Sequence, residues 1–186
     1  RVEAGTFLMA GAALGEVTIN KIVPTHLRTV LIKLEETGAK VRTNQNSITI
    51  TRSDKIIPVD MTTAVFPGFP TDLQAQWVAL MMLAEGSSVI TDTVYHDRFS
   101  HVPELNRLGA NIHVENNVAI IRGVKKLVGA PVMSTDIRAS ASLINGGLMA
   151  HGRTEVSRIY HIDRGYERIE EKFRSLGADI MRKTES

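Results

Sequence analysis

A chain of 186 residues with 43% hydrophobic content is long enough to bury a core, and its length fits one domain. Its 22 basic and 20 acidic residues leave a formal charge of +2, too small a surplus to demand nucleic acid, and only 5% of residues are aromatic. The absence of cysteine excludes a disulfide, a thiolate nucleophile and a thiolate-ligated metal within these residues, and no apolar run reaches membrane-spanning length.

The chain opens on Arg1-Val2-Glu3 without an initiator methionine or a secretory signal, which suggests an excised or processed segment of a protein whose default setting is the cytoplasm. In chain order, an apolar helix is predicted over 6–14, closed by Gly15, followed by a short strand and an amphipathic helix that stops at Gly38 in Glu36-Thr37-Gly38-Ala39-Lys40-Val41. The pattern returns with an apolar helix over 72–85 and Gly86, a strand, and a second helix closed by Arg107-Leu108-Gly109-Ala110-Asn111-Ile112. There a hairpin follows, with Ala110 to Val114 and Val118 to Arg122 flanking Glu115-Asn116-Asn117. A third round places a helix over 136–150, Gly152, and a helix with an apolar stripe of Ile169, Phe173 and Leu176 closed by Ser175-Leu176-Gly177-Ala178-Asp179-Ile180.

The closing glycines lie 71 and 68 residues apart, and within the three rounds the two glycines are separated by 23, 23 and 25 residues. That regularity marks an internal repeat. Helices that are apolar around much of their circumference are buried ones, and Gly146-Gly147 inside the third costs about 1 kcal/mol each relative to alanine, which points to close helix packing there. The expected fold is therefore α/β: one lobe, residues 1–186, of three βαβαββ units at about 1–61, 62–130 and 131–186. Pseudo-threefold symmetry puts three helices inside and the sheets outside. After Ile180 the third unit lacks the hairpin partner that the middle unit has, so its missing strand is expected from sequence outside these residues.

Pro67-Gly68-Phe69-Pro70-Thr71-Asp72 delivers Asp72 to the start of the second internal helix, where a carboxylate serves either as a cap or as a working group. Ser134-Thr135-Asp136-Ile137-Arg138 repeats the arrangement before the third. Arg98, Arg138 and Arg164 stand at comparable loop-to-helix positions, and guanidinium groups there suit a common anionic ligand as well as they suit surface ion pairs. Histidines at 26, 96, 101, 113, 151 and 161 form no close pair, so no metal is expected, and no glycine-rich phosphate loop or nucleophile elbow occurs.

Several motifs in order carry a resemblance across essentially the whole chain. They are Pro67 to Gln76, Leu83-Ala84-Glu85-Gly86, Arg98-Phe99-Ser100-His101-Val102-Pro103-Glu104-Leu105, Thr135-Asp136-Ile137-Arg138-Ala139-Ser140-Ala141-Ser142, and Arg158 to Arg168 with its His161-Ile162-Asp163-Arg164-Gly165-Tyr166 centre. The chain resembles the UDP-N-acetylglucosamine enolpyruvyl transferase family of peptidoglycan synthesis, whose members have two lobes of the inside-out α/β barrel type. This chain is similar to the C-terminal lobe, which in that family is completed by the protein's first residues.

The resemblance implies transfer of an enolpyruvyl group from phosphoenolpyruvate to the 3-hydroxyl of UDP-N-acetylglucosamine with loss of phosphate, without a cofactor. It implies that Asp72 contacts that hydroxyl and takes its proton. It further implies that Val94 meets the nucleotide sugar through its backbone, that Arg98, Asp136 and Arg138 line the cleft, and that Arg164 meets phosphoenolpyruvate. Where the family pattern has Glu-Thr-Val-Phe-Glu-Asn-Arg-Phe, this chain reads Asp92-Thr93-Val94-Tyr95-His96-Asp97-Arg98-Phe99, keeping the valine and the arginine. The proton-donating loop and an early lysine and asparagine belong to the N-terminal lobe, so these residues alone are expected to be inactive and to bind either substrate weakly. Two rivals are the shikimate-pathway enolpyruvyl transferases, which fit the motifs around Asp72 and Asp163 less well, and a non-catalytic module binding RNA or protein through its outer sheets. The balanced charge and sparse aromatics oppose the second.

Overall fold

The computed structural model describes residues 1–184. Three helices, α1 (Val2–Leu14), α3 (Gln74–Met81) and α5 (Ile137–Met149), touch one another pairwise and form the interior. Their sequences explain this placement. Every residue of α3 is buried, as is α1 from Ala4 to Ala12, because neither helix has a polar face to offer water. The packing is as close as the paired glycines of α5 require: a Cβ on Gly146 would lie 3.2 Å from both Leu108 and Met82. Polar contacts tie the three helices together inside this apolar bundle. Thr6 Oγ1 lies 2.6 Å from the hydroxyl of Tyr166 and accepts from Gln76 Nε2 at 3.1 Å, and the Thr6 carbonyl accepts from Asn145 Nδ2 at 3.1 Å.

The sheets lie outside these helices. In the first, β3 (Ser47–Thr51) runs between β1 (Glu16–Asn20) and β2 (Lys40–Thr43), antiparallel to both, with Val17 opposite Ile50 and Ile19 opposite Ile48. Alternation along β3 sends Ile48 and Ile50 into the core and leaves its hydroxyl residues partly exposed. The middle sheet has the order β4 (Met61–Thr62), β5 (Ser87–Thr91), β7 (Val118–Arg122), β6 (Asn111–Glu115), with β4 parallel to β5 and the rest antiparallel. The β6–β7 turn puts Asn116 at φ 55°, a left-handed conformation that asparagine tolerates. The last sheet is the parallel pair β8 (Pro131–Met133) and β9 (Glu155–Ser157). Helices α2 (Arg28–Glu36), α4 (Val102–Asn106) and α6 (Ile169–Ser175) bury one stripe each: Val30, Leu31 and Leu34; Val102 and Leu105; Ile169 and Phe173. No helix is long and apolar enough to cross a membrane among the described residues.

Several details differ from the sequence expectation. The closing glycines 38, 109 and 177 all adopt φ between 93° and 97°, as the repeat suggests, but Gly15 has φ 173° and is simply extended. The third sheet has no hairpin after Gly177 among the described residues, as expected, yet the first sheet also lacks a counterpart of the leading parallel strand β4. Leu176 falls beyond the end of α6 and is 47% exposed, so it leaves the stripe it was expected to join. The second internal helix is shorter than 72–85 at both ends: residues Thr71–Leu73 form a separate 3₁₀ turn ahead of it, and it ends at Met81, after which the Met82 and Ala84 N–H groups bond the carbonyls of Ala79 and Met81 in tighter turns.

Candidate functional site

Asp72 sits in that 3₁₀ turn, between Pro70, whose extended backbone brings the chain in, and the buried Leu73, which anchors the turn on the core. Neither the turn nor α3 receives a side-chain cap bond, so Asp72 is not a cap. Its carboxylate is instead held by two guanidinium groups. Arg138, near the start of α5, directs Nε and Nη2 at Asp72 Oδ1, both at 2.8 Å, and Arg98 Nη1 approaches the same oxygen at 3.5 Å. Asp72 Oδ2 accepts nothing from the described residues. Arg98 also donates to Thr71 Oγ1 at 3.2 Å, and its guanidinium carbon lies 3.6 Å from the centre of the Tyr95 ring. Both arginines are largely covered, whereas the Asp72 side chain is about half exposed, so the carboxylate faces the open side of the cluster.

Asp136, at the start of α5, does something different. Its Oδ1 accepts from the Ala139 backbone N–H at 2.8 Å and caps α5. It lies in the same cluster as Thr71, Arg98, Ser100, His101 and Arg138, and the Ser100 and Thr135 hydroxyls beside it are hydrogen-bonded at 3.1 Å. Replacing Asp136 with alanine should lower stability by about 1 kcal/mol, the usual value of such a cap. Urea unfolding would measure it, and an unchanged midpoint would show that the bond contributes nothing.

Val94 follows β5, and its backbone N–H is taken by Asp92 Oδ1 at 3.0 Å. Arg164 ends the 3₁₀ turn Ile159–Arg164 and is exposed, making no hydrogen bond or ion pair with the cluster. The turn is nonetheless placed beside it, since Gly165 packs on Ile137, the neighbour of Arg138. Five of the six expected residues thus converge on one region, and Arg164 stands at its edge.

Two residues of this region were not singled out by sequence. Asp92 is fully buried and accepts from Thr63 Oγ1, Thr71 Oγ1, Gln74 Nε2 and the backbone N–H groups of Val94 and Tyr95, at 2.7–3.2 Å. Burial pushes its carboxyl up, but the Tyr95 N–H and the three side-chain donors outweigh burial and hold it below the ordinary aspartate value. The legible signal was an aspartate just past the end of a strand, a residue whose side chain bonds backbone amides two and three places on in an Asx turn, as the Val94 and Tyr95 N–H groups do here. His101 is buried with no hydrogen-bond partner for Nε2 among the described residues. Burial lowers its pKa to about 4, opposed by the nearby Asp136 charge.

Comparison with known proteins fits this architecture. Residues 1–173 match the model of the family described as EPSP synthase (3-phosphoshikimate 1-carboxyvinyltransferase). The UDP-N-acetylglucosamine 1-carboxyvinyltransferase of Pelodictyon phaeoclathratiforme is 57% identical over 98% of this chain, and that of Bdellovibrio bacteriovorus 56% identical over 98%. The chain spans 43% and 44% of those relatives' lengths. Among solved structures, the enolpyruvyl transferase NikO from Streptomyces tendae superposes with a TM-score of 0.86 at 30% identity, covering 96% of this chain and 43% of that one. EPSP synthase from Acinetobacter baumannii superposes with a TM-score of 0.72 over 97% of this chain and 43% of that one, but at 16% identity it shares the fold alone. The chain belongs to the EPSP synthase (3-phosphoshikimate 1-carboxyvinyltransferase) family, and the two relatives named above, at 57% and 56% identity, are UDP-N-acetylglucosamine 1-carboxyvinyltransferases.

Proposed function

We propose that this chain is one lobe of a two-lobed enzyme, built of three units at about 1–61, 62–130 and 131–186. The enzyme transfers the enolpyruvyl group of phosphoenolpyruvate to the 3-hydroxyl of UDP-N-acetylglucosamine and releases phosphate, as the first committed step of peptidoglycan synthesis in the cytoplasm. The observation that carries the reading is the 57% identity over 98% of the chain to a UDP-N-acetylglucosamine 1-carboxyvinyltransferase. The chemistry of the cleft supports it. A hydroxyl attacking C2 of the enolpyruvyl group must lose its proton, and Asp72 keeps one carboxylate oxygen unpartnered among the described residues while Arg138 holds the other. Phosphoenolpyruvate brings a carboxylate and a phosphate. Arg98 uses only Nη1, and Arg138 only Nε and Nη2, so both guanidinium groups retain donors for an anion, and Arg164 stands exposed beside them. Val94 would meet the sugar nucleotide through its backbone, and Asp136 would hold the start of α5, and with it Arg138, against the reacting centre. The remaining catalytic groups belong to the partner lobe, which closes over this one.

The test is phosphate release by the enzyme completed to its relatives' length. Release should require both phosphoenolpyruvate and UDP-N-acetylglucosamine, and the 186 residues alone should show none. Release driven by shikimate 3-phosphate, or turnover by the isolated chain, would overturn the proposal.

A further inference from the structure

Asp92 carries no role in the chemistry proposed above, yet it has more hydrogen-bond partners than any carboxylate in the cleft. It closes β5 and gathers three stretches of chain: Thr63 after β4, the segment from Thr71 in the turn that carries Asp72 to Gln74 at the start of α3, and the amides of Val94 and Tyr95 in its own following loop. Three of these links continue to one residue. Thr71 Oγ1, which donates to Asp92 Oδ2 at 2.7 Å, accepts from Arg98 Nη1. Gln74 Nε2, shared with Asp92 Oδ2 at 3.2 Å, also donates to the Arg98 carbonyl at 2.9 Å. Tyr95, whose N–H is fixed on Asp92 Oδ1 at 2.8 Å, supplies the ring beneath the Arg98 guanidinium. One buried carboxylate therefore sets the backbone, the side-chain hydrogen bond and the stacking surface of Arg98.

We propose that Asp92 is the positioning residue of the cleft, which orients Arg98 and the Thr71–Asp72 turn for the anionic substrate. This rests on the function proposed above. The donor set explains why a carboxylate is needed. Two oxygens that only accept can serve two backbone N–H groups, two hydroxyls and an amide at once. An asparagine amide would present N–H to the Nε2 of Gln74. Relief would come from turning the Gln74 amide, whose Oε1 is buried without a partner, and that turn withdraws Nε2 from the Arg98 carbonyl.

Two readouts on Asp92→Asn separate this role from simple support of the fold. In the 186-residue chain labelled with 15N-arginine, the Arg98 Nε–H resonance should be displaced by the Tyr95 ring current and should move towards its free-arginine position in the variant. In the enzyme at its relatives' length, kcat/KM for phosphoenolpyruvate should fall about tenfold. Asp92→Glu, which keeps the carboxylate, should retain more of both signals than Asp92→Asn. If Asp92→Asn does not fold, Gln74→Leu removes the Nε2 links to both Asp92 and the Arg98 carbonyl while leaving the carboxylate in place, and should displace the same resonance in the same direction. An unmoved Arg98 resonance with unchanged kcat/KM would overturn the role of Asp92. A wild-type enzyme without turnover would overturn the proposed function instead, leaving the resonance to decide the positioning role by itself.

Discussion

Asp72→Asn, in the enzyme completed to its relatives' length, should lower kcat by about 10²–10⁴-fold, the range attributed to loss of a general base. The substitution keeps the shape of the side chain and an oxygen for Arg138, but the amide cannot take a proton from the attacking hydroxyl. Stability should change little, because Asp72 makes no cap bond and its ion pairs lie at a half-exposed carboxylate, where such pairs contribute at most about 1 kcal/mol. Circular dichroism and the unfolding midpoint should therefore match wild type while turnover collapses. Retained turnover would remove Asp72 as the proton acceptor and leave it as a counter-ion for Arg138.

The second large effect is a loss of stability between neutral and mildly acidic pH that belongs to His101. The side chain is buried, and burial lowers its pKa from 6.5 to about 4, against the opposing pull of Asp136. Unfolded chain therefore takes up a proton at His101 over a range in which folded chain does not. The sign follows: this contribution to stability is complete above about pH 6.5, declines as pH falls through that interval, and is gone below about 4. The shift corresponds to on the order of 3 kcal/mol. Urea unfolding at a series of pH values should show this slope in wild type and its loss in His101→Gln, whatever the variant's baseline stability. Asp92, whose pKa is held low by its hydrogen-bond donors, adds a separate decline only at lower pH, as pH falls through its depressed value. Equal slopes in wild type and His101→Gln above pH 4 would place the acid sensitivity elsewhere.

Much of the architecture was legible because it depends on short-range chemistry repeated along the chain. A glycine at 38, 109 and 177 ends a helix in a conformation that costs other residues energy, and all three adopt it. The apolar circumference of α1 and α3 left no alternative to burial. The hairpin of Asn111–Glu115 and Val118–Arg122 followed from alternation around two asparagines. Two expectations at helix ends failed. Gly15 looked like Gly38 but closes its helix in an extended conformation, and Leu176 continues the period of α6 although the helix has already ended.

The site divides in the same way. Sequence alone determined that Asp72 and Asp136 stand at the starts of internal helices with arginines nearby, because helix starts and repeat positions are written in residues a few places apart. Only the tertiary structure decided that Asp136 caps its helix while Asp72 does not, because the ion pair that holds Asp72 comes from Arg138, 66 residues away on another helix. The same holds for Asp92, whose partners Thr63, Thr71 and Gln74 lie 18 to 29 residues before it. Local spacing places a side chain on an element, but packing of elements across the core determines which charge it meets.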